Sequence, residues 1–296
     1  MRFLMFLFLF ASLSGYAQLP EVSSGTIKRF ENFDSKFIVP RNVDVWLPDG
    51  YSTDKKYAVL YMHDGQMLYD ATKSWNKQEW MVDEVVSKLI KEGTIEDCIV
   101  VGVWNGGKYR HSDYFPEKAA NYLSEELQKQ LKDTLMGDLR ADEYLKFLTK
   151  ELKPFIDKNF SVKTDKANTY IAGSSMGGLI SMYAICEYPE VFEAAACIST
   201  HWPGDTKIAD SKIPHAFYKY LNDHLPDPSS HKIYFDYGTE TLDRLYEPFQ
   251  LEVDKTMKQK GYTKENWITL KFEGENHSED SWCKRLHIPI SFIMKK

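Results

Sequence analysis

The stretch IAGSSMGGL, residues 171–179, sets two serines and three glycines directly after an apolar run. The preceding segment NTYIAG (168–173) has the aromatic and β-branched character of a strand, and the following MGGLISMYAICEY (176–188) reads as a helix. Between them Gly173, Ser175 and Gly177 fit G-x-S-x-G, a sharp strand-to-helix turn with a serine at its apex. The residue types have a steric cause. Side chains two positions either side of the apex would collide, so glycines stand there, and the apical serine is forced into strained backbone angles. It then projects from the C-terminal edge of a sheet with a helix N-terminus behind it, where developing negative charge is favoured. Ser175 is the candidate nucleophile; Ser174 lies off the apex.

Such a serine needs a base held by an acid, and behind this kind of turn the chain order is serine, acid, histidine. GENHSEDSW (274–282) places His277 in a loop after the last strand-like run, which makes it the candidate base; His287 falls in the helical stretch beyond and is assigned to packing. The acid is expected just past KIYFDYG (232–238). Asp236 lies inside that run and should point elsewhere. Asp243 and Glu240 lie in the loop, with Asp243 the first choice and Glu240 the alternative. Two backbone N–H groups should stabilise the oxyanion: that of Met176, next to the nucleophile, and that of Gln66 in HDGQMLYD (63–70), where Gly65 lets the chain turn close to a substrate. His63 and Asp64 precede the nucleophile and read as shaping that loop.

Working outward, VDVWL (43–47), YAVLYM (57–62), CIVVGVW (98–104), AAACIS (194–199), KIYFDYG (232–238) and WITLKFE (267–273) are further strand-like runs. Continuous apolar runs suit strands covered on both faces. Helical periodicity appears over 79–93, 141–160 and 245–262. This alternation predicts an α/β fold with a mostly parallel central sheet and helices on both faces. TIKRF (26–30) and VDVWL have no helix between them and predict an antiparallel edge.

The first residues, MRFLMFLFLFASLSGYAQ, combine Arg2, a short apolar run and small residues ending at Ala17. They predict a signal peptide over 1–17, a single domain over 18–296, and a secreted or periplasmic protein with no stable membrane insertion after cleavage. Of the 296 residues, 43% are hydrophobic, enough for a large core. The net charge of −6, with both signs interspersed, speaks against nucleic-acid partners. Cys98, Cys186, Cys197 and Cys283 match no metal spacing and read as structural, with pairing left open. No metal or cofactor is expected.

Together YMHDGQMLYD (61–70), ELKPFIDKNF (151–160), AGSSMGG (172–178), FDYGTETLD (235–243) and GENHSEDSW make the chain resemble the esterase family of α/β-hydrolases. That family includes feruloyl and acetyl xylan esterases, enterochelin esterases and S-formylglutathione hydrolases. The resemblance spans most of the mature chain and implies the α/β-hydrolase fold, with Ser175, an acid near Asp243, and His277 in the catalytic roles. Many relatives carry the acid nearer the glycine after the strand, which keeps Glu240 open. In VGVWNGGKYRHSDYFPEKA (101–119), which looks like a family loop, Arg110, His111 and Tyr114 are candidates for lining the pocket. Trp202, in STHWPGD, is a candidate sugar or aromatic platform. The implied function is serine ester hydrolysis through an acyl-enzyme on a small-molecule or polysaccharide ester, feruloyl or acetyl. The alternatives are a siderophore esterase and, from another class, a non-catalytic carbohydrate-binding protein on a hydrolase scaffold.

Overall fold

The apolar runs become strands of one eight-stranded sheet: β1 (Thr26–Phe33), β2 (Arg41–Leu47), β3 (Ala58–His63), β4 (Cys98–Val103), β5 (Thr169–Ser174), β6 (Ala194–Ile198), β7 (Lys232–Gly238) and β8 (Trp267–Phe272). The computed structural model describes residues 19–135, 137–205 and 212–295, so the stretch read as a signal peptide lies outside the described residues. Spatial order is β1-β2-β4-β3-β5-β6-β7-β8. From β4 to β8 every pairing is parallel, while β1–β2 and β2–β4 are antiparallel. The chain is thus an α/β-hydrolase-type sheet with a two-strand antiparallel margin.

Burial explains the sequence character of each strand. Every residue of β3, β4 and β6 is buried, and apart from His63 at the end of β3 these strands are apolar throughout. β1, at the edge, is half-exposed and carries polar residues. One face of the sheet is covered by the helical segment 141–159 and by the helix Met176–Glu187; the other is covered by Val82–Lys91 and His287–Met294. Met176–Glu187 is buried all round and shows no polar stripe. In 141–159 the stretch Phe147–Leu152 widens to a π-helical turn just before Pro154. Proline has no N–H to give the preceding turn and crowds its carbonyl, so the ladder loosens there. Among the described residues no helix is long and apolar enough to cross a membrane.

The chain passes outward from β3 to β4 and then returns to place β5 on β3's other side. Ligand sites in open α/β sheets form at such reversals, beyond the C-terminal strand ends. Here those ends are His63 and Ser174, and the candidate site lies just past them.

Candidate active site

Ser175 sits at φ 57° and ψ −123°, a conformation side chains rarely adopt. Its amide donates to Ile198 O on β6 (3.0 Å), and its carbonyl accepts from Gly178 N (3.0 Å), Leu179 N (3.2 Å) and His201 N (3.2 Å). A Cβ on Gly173 would stand 2.7 Å from Gly177 O, so the strand can reach the helix only with glycine at that position. Ser174 is buried, whereas Ser175 is partly exposed and lines a cleft of about 510 Å³.

His277 lines the same cleft. Its backbone N–H donates to Thr241 Oγ1 (2.9 Å), and its Nδ1 lies 2.5 Å from Asp243 Oδ1. The ring is clamped edge-to-face against Trp282 at 4.9 Å and Tyr246 at 5.8 Å. With Nδ1 engaged, Nε2 is the nitrogen left for proton transfer. No hydrogen bond joins the Ser175 and His277 side chains; in unliganded sites such contacts are commonly loose and tighten with substrate.

Asp243 is fully buried, and its second oxygen accepts from Ser199 Oγ (2.5 Å) and Gly238 N (2.7 Å). Burial raises its pKa, but His277, Ser199 and Gly238 outweigh that and hold it below the usual carboxylate range. Beneath lies a second layer. Ser199 Oγ also accepts from Trp282 Nε1 (2.9 Å) and Arg285 Nη2 (3.0 Å). Arg285 reaches both oxygens of Asp236, each at 3.2 Å. Burial leaves the Asp236 carboxyl above its ordinary value, with Arg285 pulling it back. Asp236 therefore belongs to this layer and makes no contact with His277, as its place within the strand implied. Glu240 is exposed; only its amide is engaged, donating to Glu275 O (3.0 Å).

Asp64 adopts a left-handed conformation (φ 56°) at the start of the turn Gly65–Met67. Arg110 grips it through Nε–Oδ1 (2.7 Å) and Nη2–Oδ2 (2.8 Å), and Asn105 Nδ2 adds 2.8 Å. Burial raises the Asp64 carboxyl, but Arg110 more than reverses this and holds it low. A Cβ on Gly65 would lie 2.6 Å from Gly102 C, so the glycine serves contact with β4 rather than approach to a substrate. Gln66 lines the cleft and accepts from Asn105 N through its side chain (3.2 Å). The Gln66 and Met176 amides both stand in the first turn of a helical segment, where N–H groups have no acceptor within the helix.

Two other histidines pack close by. His63 is buried below the turn, Nδ1 against Tyr144 Oη (2.8 Å). His201 is buried, Nδ1 against Tyr246 Oη (2.7 Å), and that tyrosine also interacts with the Ser175 side chain. Burial lowers both imidazoles to about 3.

Several expectations are corrected. Trp202 is no platform: it is 0% exposed, packs on Phe235 and Phe217, and donates Nε1–H to Gln250 Oε1 (2.7 Å). Tyr114 is buried under Arg110, whose guanidinium lies 5.3 Å from its ring, and so does not face the cleft. Arg110 does line the cleft, but its charge is committed to Asp64. His111 is exposed and not part of the cleft wall. His287 is exposed rather than packed. The four cysteines are free thiols, three of them buried. Sequence reasoning missed Ser199, Arg285, Tyr246 and Trp75, whose roles depend on contacts 44 or more residues away or on exposure.

The model of the family described as "Putative esterase" matches residues 37–287. An uncharacterized protein, YbbA, of Bacillus subtilis (strain 168) is 24% identical over 264 residues, 86% of this chain and 93% of that one. An endo-1,4-beta-xylanase/feruloyl esterase of Xylanibacter ruminicola is 28% identical over 205 residues, 65% of this chain but only 24% of that longer protein. Among solved structures, a ferulic acid esterase superposes with TM-score 0.66 at 20% identity, covering 92% of this chain and 98% of its own.

Proposed function

The chain belongs to this esterase family, and from that premise we propose that it is a serine carboxylic-ester hydrolase with Ser175, His277 and Asp243 as its triad. The observation that carries the reading is the His277–Asp243 contact of 2.5 Å on the wall of the cleft that holds the strained Ser175. In the proposed cycle Ser175 Oγ attacks the ester carbonyl while His277 Nε2 takes its proton. The backbone N–H groups of Gln66 and Met176 receive the oxyanion. The tetrahedral intermediate collapses, the C–O bond to the alcohol breaks, and His277 returns the proton to that alcohol. Water, deprotonated by His277, then attacks the acyl-enzyme; the acid leaves and Ser175 regains its proton. Asp243 holds the imidazole tautomer and stabilises imidazolium, a task suited to a carboxylate kept ionised by three donors.

The proposed substrates are acyl esters of polysaccharides, feruloyl or acetyl, met outside the cytoplasm by a chain whose first 17 residues read as an export signal. The relative from Xylanibacter, named for both xylanase and feruloyl esterase, supports this choice. A siderophore lactone would bring an anionic ligand, and the cleft's one guanidinium, Arg110, is already neutralised by Asp64. A fluorophosphonate probe tests the mechanism: it should label Ser175 and fail on Ser175→Ala. Labelling elsewhere, or none at all, refutes the triad and favours a non-catalytic sugar binder. A panel running from nitrophenyl acetate to methyl ferulate and acetylated xylan then fixes the acyl group.

A further inference from the structure

Trp75 is 81% exposed, the most exposed large apolar side chain among the described residues, yet it lines the cleft that holds Ser175 and His277. The loop beneath it is tied down. The Asp70 carboxylate accepts from Thr72 N (2.8 Å) and Oγ1 (2.6 Å), and the Asp70 carbonyl accepts from Lys73 N (3.1 Å) and Ser74 N (3.2 Å). Buried Ser74 donates to Ala71 O (3.0 Å), and Lys77 sits at φ 61°, a conformation a lysine adopts only at a cost. The indole is therefore held out into solvent by a fixed backbone.

Beside it the polar groups are planar and oriented. Asn76 Oδ1 accepts from Gln78 N (3.1 Å), while its Nδ2 donates to Glu279 Oε2 (2.8 Å), at the start of the helix that follows His277. Among the described residues Arg110 is the only Lys or Arg lining the cleft, and Asp64 occupies it. Among the described lining residues an anionic ligand finds no free cation. A saccharide ring matches the surface better: one face is built of C–H groups that lie on an indole, and the rim carries hydroxyls that an amide and a carboxylate can bond. Met67, Trp80 and Trp282, all buried, form an enclosed apolar wall suited to an acyl group. An indole left four-fifths in water suits the part of a substrate that leads outward.

We propose that Trp75, with Asn76 and Glu279, forms a leaving-group subsite that stacks a sugar ring of a neutral glycan, so that the alcohol of the cleaved ester is a saccharide. This rests on the hydrolase reading above and specifies its substrate. The test compares one acyl group on two alcohols, acetylated xylo-oligosaccharide and 4-nitrophenyl acetate. In Trp75→Ala the ratio of kcat/KM for the sugar ester over the nitrophenyl ester should fall about tenfold, and Trp75→Phe should restore part of it. An unchanged ratio overturns the subsite, including the case where both esters lose equally, which would mark an acyl-side contact. A second arm does not need turnover. The Ser175→Ala protein titrated with xylohexaose should show a saturable change in tryptophan fluorescence that Trp75→Ala removes; no saturable change overturns the proposal. Sugar binding without ester turnover by the unmodified protein would refute the hydrolase reading and leave the subsite standing. Turnover without Trp75-dependent sugar preference would do the reverse.

Discussion

His277 and the pair His63 and His201 are the same side chain in opposite settings. His277 stands in a loop on the cleft wall, and its partner is a carboxylate at 2.5 Å. His63 and His201 are buried, and each has a tyrosine hydroxyl as its Nδ1 partner, at 2.8 and 2.7 Å. A carboxylate stabilises the imidazolium that forms during proton transfer; a neutral hydroxyl in a desolvated pocket does so weakly, and burial lowers both these histidines to about 3. Proximity to the serine is therefore not what makes a base. His201 donates its backbone N–H to Ser175 O and yet is locked neutral.

The largest test of this contrast is removal. His277→Ala and Ser175→Ala should each lower turnover on the order of a million-fold, while His63→Leu should leave it within tenfold. A His63 variant that stays folded but loses activity as His277→Ala does would break the comparison. Next comes the partner. Asp243→Asn should cost on the order of 10⁴ in kcat by favouring the wrong tautomer of His277, and Glu240→Gln should be near neutral; the reverse ranking in folded variants would transfer the role to Glu240. The floor beneath Asp243 should read out as stability. Arg285→Met strands the Asp236 carboxylate in the interior, with an expected cost of about 3–5 kcal/mol in urea unfolding. A loss under about 1 kcal/mol would show that Arg285 is not the counter-charge that layer needs.

The smallest effect concerns acid. Folded His63 and His201 have pKa values near 3, below the ordinary 6.5, so between those limits the unfolded chain binds protons that the folded one refuses. Their contribution is complete above pH 6.5 and declines as pH falls, by about 1.4 kcal/mol per histidine for each pH unit in the steep part of that window. Below the ordinary carboxylate range the lowered Asp64 and Asp243 add losses of the same sign. In His63→Leu the decline measured by denaturation at a series of pH values should be shallower between pH 4 and 6 than in the unmodified protein.

Much of the fold was legible because β3, β4 and β6 are buried on both faces and so read as nearly continuous apolar runs, and because the β1–β2 segment has no room for a crossover helix. The Gly173–Gly177 approach was legible for the same reason: contact between backbones demands glycine. Exposure was not. Trp202 and Trp75 are alike as letters in a loop, but Gln250, Phe217 and Phe235 bury the first, while the Asp70-anchored loop presents the second. Which of Asp243 and Glu240 reaches His277 was equally hidden. It turns on Thr239 and Glu240 spending their amides on Glu275 O and on Thr241 taking φ 52°, which carries the chain on to Asp243.

The clamp on Asp243 also sets an order of events during synthesis. Ser175 is made first, Asp243 later, and His277, Trp282 and Arg285 after both, on a segment that ends by bridging Ile95 to Lys295. A nascent chain that has emerged through β8 holds Ser175 and Asp243 but not His277, and lacks the Arg285 that pairs with Asp236. On the proposed triad such a chain is inert toward esters, and its interior is poorly balanced until residues 277–295 dock. A chain truncated after Phe272 should therefore show no esterase activity.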